Sequence, residues 1–289
     1  MKPAPFAYHR PNTINDLVAL VASCENAKLI AGGQSLVPML NMRYVIPDHV
    51  IDLNRIESLN FIRENNGAIE IGAMTRQCEI EHDQLIARRA PILQDALRHV
   101  GHLQTRSRGT IGGSLCHLDP AAELPGIAAL YDATLHIAGP RGTREVNIAD
   151  WSLGYMTPAL EPDEVLTHIT FPLWKEPHGH AFLEIARRLG DFAIVGVGCL
   201  LALDRNGAIA RAAISLVGVS TAPVRLSDTE AALIGQKPTE STFKAAAEHA
   251  RTIECLEDAQ ISASYRQRLA GVLVARALKL ASARAEITK

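Results

Sequence analysis

The sequence predicts an α+β protein in three successive parts, and three observations carry that reading. Residues 1–56 alternate helix, strand, glycine turn and strand. Residues 57–175 repeat this mixture on a larger scale, with a second glycine-rich turn. Residues 176–289 open with long apolar strands and end in helices. At 289 residues the chain has room for one large domain or two to three small ones.

The first helix is signalled by Thr13-Ile14-Asn15-Asp16, with Thr13 as N-cap and Asp16 placed to answer it three residues on. Leu17, Val18, Leu20 and Val21 then share a helical face. Leu29-Ile30-Ala31 reads as a buried strand stopped by Gly32-Gly33, and His49 to Leu53 as another. In the second part, Ala68 to Gly72 alternates like a half-buried strand. Two helices follow, the second starting at Pro91, a residue suited to a first helical position. Gly109 to Pro120 reads as a loop leading into a helix from about Ala121. A hairpin spans Thr134 to Val146, turning at Gly139 to Gly142, and Val165 to Phe171 closes the unit as a strand. Glu176 to His180 reads as a linker. In the third part Ala193 to Asp204 pairs with Ile209 to Val217 across the Arg205-Asn206-Gly207 turn. Helices then run to the end, with Ser262 and Ser264 as cap candidates for the last.

Composition excludes several function classes. Lys+Arg 29 against Asp+Glu 31 leaves a net charge of −2, too balanced to steer the chain onto nucleic acid or anionic lipid. Aromatics at 4% do not make a base-stacking platform. The longest apolar run, Phe192 to Leu203, is shorter than a membrane span needs. Prolines and a His-Arg pair occupy the N-terminus where a signal peptide would be apolar. Cys24, Cys78, Cys116, Cys199 and Cys255 are scattered, so no thiolate cluster for zinc or iron–sulfur binding exists in the chain. A cytoplasmic setting, with no metal bound, is the expectation.

Two glycine pairs carry the chemistry: Ala31-Gly32-Gly33-Gln34-Ser35-Leu36 and Thr110-Ile111-Gly112-Gly113-Ser114. Glycine lets a phosphate reach backbone N–H groups and tolerates positive φ. A following helix adds the favourable end of its dipole. Two such loops suit a pyrophosphate held from two sides, although each pair taken alone is equally a tight turn. The chain has no G-x-x-x-x-G-K-[ST] loop, and Gly196-Val197-Gly198 lacks the third glycine of a dinucleotide fingerprint. Among other candidates, His178 and His180 read as exposed linker histidines, Cys116-His117 as loop packing and Asp163-Glu164 as a solvated turn.

Lys28 to Pro38, Thr110 to Ser114, Asp119 to Leu124, Arg187 to Ala193 and Ser264-Tyr265-Arg266 together resemble, in order, the FAD-binding medium subunit of the molybdenum hydroxylases, of carbon monoxide dehydrogenase and xanthine dehydrogenase type. The resemblance implies a vanillyl-alcohol-oxidase (PCMH)-type FAD-binding domain of two α/β subdomains, residues 1–56 and 57–175. A C-terminal domain, residues 176–289, would carry a three-stranded antiparallel sheet and helices. It further implies that Lys28, Leu29, Ile30, Ala31, Gly32, Gly33, Gln34, Ser35 and Leu36 wrap the pyrophosphate and ribityl region. Thr110, Ile111, Gly112, Gly113, Ser114 and Asp119 would complete the cradle. Glu123 stands where the family has an acidic residue, usually Asp, bonded to the sugar portion. Leu166 and Phe192 would flank the isoalloxazine, with Asp191 and Arg188 near its reactive edge.

Gln34 replaces a histidine of some relatives, which points to non-covalent FAD, and Ser114 replaces a common asparagine. The implied function is electron transfer in a heterotrimer. A molybdopterin centre in a large partner would feed two [2Fe–2S] clusters in a small partner, then FAD here, then NAD, a quinone or oxygen. A dimer of heterotrimers is the implied assembly, with no catalytic side chain in this chain. A self-sufficient FAD-dependent oxidase or dehydrogenase and a cofactor-free scaffold are the alternatives.

Overall fold

The structure, a computed structural model, describes residues 1–287. Residues 288–289, the end of the third part, lie outside the described residues. The first unit runs β1 (Ala7–His9), α1 (Ile14–Ser23), β2 (Ala27–Ile30), α2 (Leu36–Asn41) and β3 (His49–Asp52). Thr13 caps α1, accepting the Asp16 N–H at 3.1 Å and donating to its carboxylate at 2.7 Å. The strands form a parallel sheet in the order β1-β3-β2. Leu17 and Val21 of α1 pack on Ile51 and Leu53 to close its core.

The second unit begins with β4 (Ile62–Asn65) and β5 (Ala68–Gly72). Five helices follow: α3 (Gln77–His82), α4 (Gln84–Arg89), α5 (Pro91–Leu97), α6 (Leu103–Arg106) and α7 (Ile111–His117). After α8 (Glu123–Leu130) come β6 (Thr134–Gly139), β7 (Gly142–Asn147), the small pair β8 (Ser152–Gly154) and β9 (Thr157–Pro158), and β10 (Val165–Pro172). The main sheet is antiparallel with order β4-β5-β10-β6-β7. Trp151, fully buried, donates its indole N–H to Leu115 O at 2.8 Å and satisfies the one polar atom of the largest core side chain.

The third unit comprises β11 (His178–Ala186), β12 (Ala193–Leu203), β13 (Ile209–Val217), a two-residue edge strand β14 (Val224–Arg225), α9 (Ser227–Leu233), α10 (Glu240–Ala250) and α11 (Ala263–Ile287). Three long antiparallel strands thus carry the sheet, and β14 borders it. This sheet is covered on both faces. Val195, Val197, Cys199 and Leu201 of β12 face α10 and α11, whereas Leu200 and Ala202 join the core of the second unit. Burial on both faces is why β12 reads as a continuous apolar run rather than an alternating one.

Two sequence expectations are corrected here. Glu176 to His180 is not a linker throughout, because β11 starts at His178 and His180 meets Asp95 of α5 at 3.3 Å. Gly112 and Gly113 do not sit in a loop but in the first turn of α7. Propensity disfavours glycine there, and the Thr110 cap with tight packing overrides it.

The contact between the second and third units is set by α8. A Cβ on Gly126 would collide with Val217 of β13, and one on Gly198 of β12 would lie 3.3 Å from Leu130. Arg225 seals the end of α8, donating to Ala129 O at 2.6 Å and Asp132 at 2.8 Å while gripping Glu230. Gly126→Val should therefore overpack this contact and cost about 1–3 kcal/mol of stability. A lowered urea midpoint is the expected reading, and an unchanged one would show slack between α8 and β13.

Candidate cofactor site

The two glycine pairs, far apart in sequence, meet across the gap between the first and second units. Gly32 is separated from the end of β2 by one residue, Ala31, and a Cβ there would run into the Arg108 carbonyl oxygen and lie 2.8 Å from Gly109 Cα. Gly33 has φ +74°, a region that L side chains rarely adopt. From the other side, Gly113 lies in van der Waals reach of Ala31, 3.8 Å from a built Cβ. Gly112 presses on Ala73 just past β5, where a Cβ would come within 2.6 Å.

A hydrogen-bonded clasp, which sequence reasoning missed, fixes this approach. The Arg76 guanidinium donates both to Arg108 O and to Asn54 Oδ1. Asn54 Nδ2 donates to Ala31 O at 3.0 Å and also to Asp52, whose Oδ1 accepts the Asn54 N–H at 2.9 Å. Tyr8 completes the chain by donating its hydroxyl to Asp52. These bonds hold the Asp52 carboxyl below the usual range against its burial. Asn54 and Arg76 each lie just beyond a buried strand, β3 and β5, and a polar residue ending an apolar run is the only signal they offered.

The pairs differ in what they leave free. Around the second pair the N–H groups are already used: Ile111 donates to Thr75 O, Gly112 to Ala73 O and Gly113 to Thr110 Oγ1, at 3.2, 2.9 and 3.0 Å. Around the first, among the described residues, no acceptor takes the N–H of Gly32, Gly33, Gln34 or Ser35. The hydroxyls of Ser35 and Ser114 likewise have no partner among the described residues. Arg76 and Arg108 add positive charge beside these donors, and Arg108 is exposed. Free N–H donors, small residues and cationic charge fit an anionic pyrophosphate.

The remaining predicted site residues separate into four groups. Lys28, Leu29 and Ile30 form β2, Lys28 exposed and the other two half-buried, while Gln34 is exposed with Nε2 3.3 Å from Gly32 O and Leu36 begins α2. Asp119 braces the turn before α8, accepting the Ala121 N–H at 2.9 Å. Leu166 is buried on β10 in the large core. Arg188, Asp191 and Phe192 lie on the exposed tip between β11 and β12, with Leu189 and Phe192 81% and 67% exposed. Gly190, at φ +84°, presses that tip on Gly101 and His102, from which α6 leads to Arg108.

Arg266 proves structural: it donates to Ile194 O and Gly218 O at 2.6 and 2.5 Å, and Gly218 N–H reaches Pro120 O at 2.8 Å. Glu164 is not solvated, being buried and clamped by Arg144 at 2.6 and 2.8 Å. Cys116 lies in the last turn of α7, and burial pushes its thiol up to about 12, so it is no nucleophile at neutral pH.

Glu123, the first residue of α8, is 6% exposed. Burial, with Glu184 of β11 nearby, pushes its carboxyl up to about 8, and burial pushes Glu184 up to about 7. Glu184 Oε2 has no hydrogen-bond partner among the described residues. The fold thus gathers free N–H donors, small residues and cationic charge at a seam between two α/β units, an arrangement suited to a phosphate-bearing group.

Comparison with known proteins makes that class specific. Residues 4–174 match the FAD binding domain in molybdopterin dehydrogenase, and residues 180–281 the CO dehydrogenase flavoprotein C-terminal domain. The carbon monoxide dehydrogenase medium chain of Hydrogenophaga pseudoflava is 35% identical over 98% of this chain and 99% of its own. The 6-hydroxypseudooxynicotine dehydrogenase complex subunit alpha of Paenarthrobacter nicotinovorans is 35% identical over 100% and 98%. Among solved structures, reconstituted CO dehydrogenase from Oligotropha carboxidovorans superposes with a TM-score of 0.95 at 34% identity, covering 98% of this chain and 100% of that one. The chain belongs to the FAD-binding medium subunits of the molybdenum hydroxylase family, and it is an oxidoreductase subunit.

The Glu123–Glu184 pair yields a pH prediction. Both carboxyls hold protons more tightly folded than unfolded, where their ordinary value is 4.5. Between about pH 4.5 and 8 the native chain therefore carries the extra protons, and its stability falls as pH rises through that window. Glu123→Gln should flatten the decline in the urea midpoint of the FAD-free chain. An identical slope in the variant would contradict the assignment.

Proposed function

We propose that the chain binds FAD non-covalently at the glycine seam and relays electrons as the medium subunit of a heterotrimeric molybdenum hydroxylase. The electrons would come from [2Fe–2S] clusters in a small partner, supplied by a molybdopterin centre in a large one. They would leave to an external acceptor such as NAD, a quinone or oxygen. The assembly would be a dimer of heterotrimers in the cytoplasm, and the chain's domains would divide at residues 1–56, 57–175 and 176–289. The observation that carries the reading is the row of unclaimed N–H groups at Gly32 to Ser35, facing a second glycine pair held against it.

The isoalloxazine supplies the redox chemistry. The side chains bind, orient and exclude water. Gly32, Gly33, Gln34 and Ser35 offer backbone donors to the pyrophosphate, with Arg76 and Arg108 balancing its charge. Thr110, Ile111, Gly112 and Gly113 act through shape, keeping α7 close enough for the Ser114 hydroxyl to contribute. Asp119 and Glu123 place the start of α8 for the sugar portion. Exposed Phe192 would provide apolar surface for the ring system and buried Leu166 would back it from the core of the second unit, with Arg188 and Asp191 beside it on the β11–β12 tip. Gln34 has no nucleophilic nitrogen comparable to imidazole, which agrees with a cofactor retained by contacts alone.

Gly33→Val places a branched side chain at positive φ, where a Cβ would come within 3.0 Å of Val37. The purified variant should lose its flavin absorbance on desalting while the wild-type chain keeps it. Equal retention would show that this loop does not hold FAD. Reduction of the flavin by a small molecule with the lone chain would instead favour a self-sufficient dehydrogenase.

A further inference from the structure

On the face of the first sheet turned away from the clasp lies a cluster that the proposed FAD site does not use. β1 and β3 run parallel with Ala7 opposite His49 and His9 opposite Ile51, so His9 and His49 share one face. That face is the one α1 covers, since Ile51 packs there with Leu17 and Val21. Cys24, the C-cap of α1, arrives at the same corner just before β2. One ring nitrogen each of His9 and His49 and the Cys24 Sγ all lie within 4.8 Å of one another, and His9 Nε2 is 3.0 Å from His49 Nδ1. All three residues are half-buried and reachable from solvent.

We propose that His9, His49 and Cys24 form a three-ligand site for a borderline divalent cation of the Zn²⁺ class, the fourth place being open to water. Two imidazoles and a thiolate are the donors that such ions take in preference to the oxygen ligands of Mg²⁺ or Ca²⁺. Tetrahedral Zn²⁺ with bonds of about 2.0–2.3 Å sets its ligand atoms roughly 3.3–3.6 Å apart, so side-chain rotation is enough to close the site. Because the ligands come from β1, β3 and the end of α1, a bound ion would staple the three-residue edge strand β1 to the unit that carries the first glycine loop. His9 and His49 share their face with Ile51, whereas Tyr8 and Asp52 of the clasp alternate to the other face, so the ion and the clasp would lie on opposite faces of the sheet.

The probe is Co²⁺ titrated into the full FAD-loaded chain, followed by competition with Zn²⁺. The expected result is one Co²⁺ per chain with a thiolate-to-cobalt charge-transfer band and the strong visible bands of a four-coordinate ion. Cys24→Ser should abolish the charge-transfer band. His49→Gln should weaken Zn²⁺ by at least the roughly 10–100-fold that losing even an outer partner costs a metal site. Unchanged flavin absorbance in both variants reports that they are folded. Absence of the charge-transfer band in the wild-type chain, or its persistence in Cys24→Ser, would overturn the proposal and leave the pair of imidazoles as an ordinary hydrogen bond.

Discussion

The close approach of two backbones, Gly32 on one side and Arg108-Gly109 on the other, is the constraint on which the site depends. A side chain at residue 32 would hold these segments apart, and the Arg76–Asn54 hydrogen bond that crosses between the two units could not then form with its present geometry. With glycine there, Asn54 and Arg76 tie Ala31 O and Arg108 O into one network. Both residues sit just beyond buried strands, so each half of the clasp is anchored by a hydrophobic core rather than by a loose loop. The proposed cradle would thus be assembled by packing before any ligand arrives. That preorganisation lowers the ordering cost of binding.

The two glycine pairs serve this constraint in different ways. Around Gly112-Gly113 nearly every donor has an internal acceptor, and the glycines are there to let α7 touch Ala73 and Ala31. Around Gly32-Gly33 the donors stay free. One pair supplies proximity and the other supplies hydrogen bonds. The third unit extends the same logic through α8, where Gly126 and Gly198 admit close contact and Gly218 joins Arg266 to Pro120. Its exposed β11–β12 tip, carrying Phe192, reaches back to the Gly101–His102 corner above the second pair.

Much of this architecture was legible in the sequence because it rests on local signals. Thr13, Pro91 and Asn206-Gly207 mark their elements through capping and turn chemistry, and the structure places a helix start or turn at each. Long-range demands were less visible. Gly112-Gly113 reads as loop by propensity, yet packing against Ala73 makes it helical. His178 and His180 look like linker residues between prolines and glycines, yet pairing with β12 makes them strand. Glu164 looks solvated until Arg144 arrives from the neighbouring hairpin. The clasp was invisible for the same reason, since Asn54 and Arg76 matter only when two cores bring them together.

The account stands or falls on whether Asn54 and Arg76 act as one unit in holding the cradle, and a double-mutant cycle on FAD affinity measures this directly. Asn54→Ala, Arg76→Ala and the double variant should each retain the fold, since both residues lie outside the three cores. If the clasp sets the separation of the glycine pairs, either single change weakens FAD binding and the second adds little. A coupling on the order of 0.5–3 kcal/mol is then expected. Strictly additive effects, or FAD affinity unaltered in all three variants, would contradict the claim that this contact builds the site.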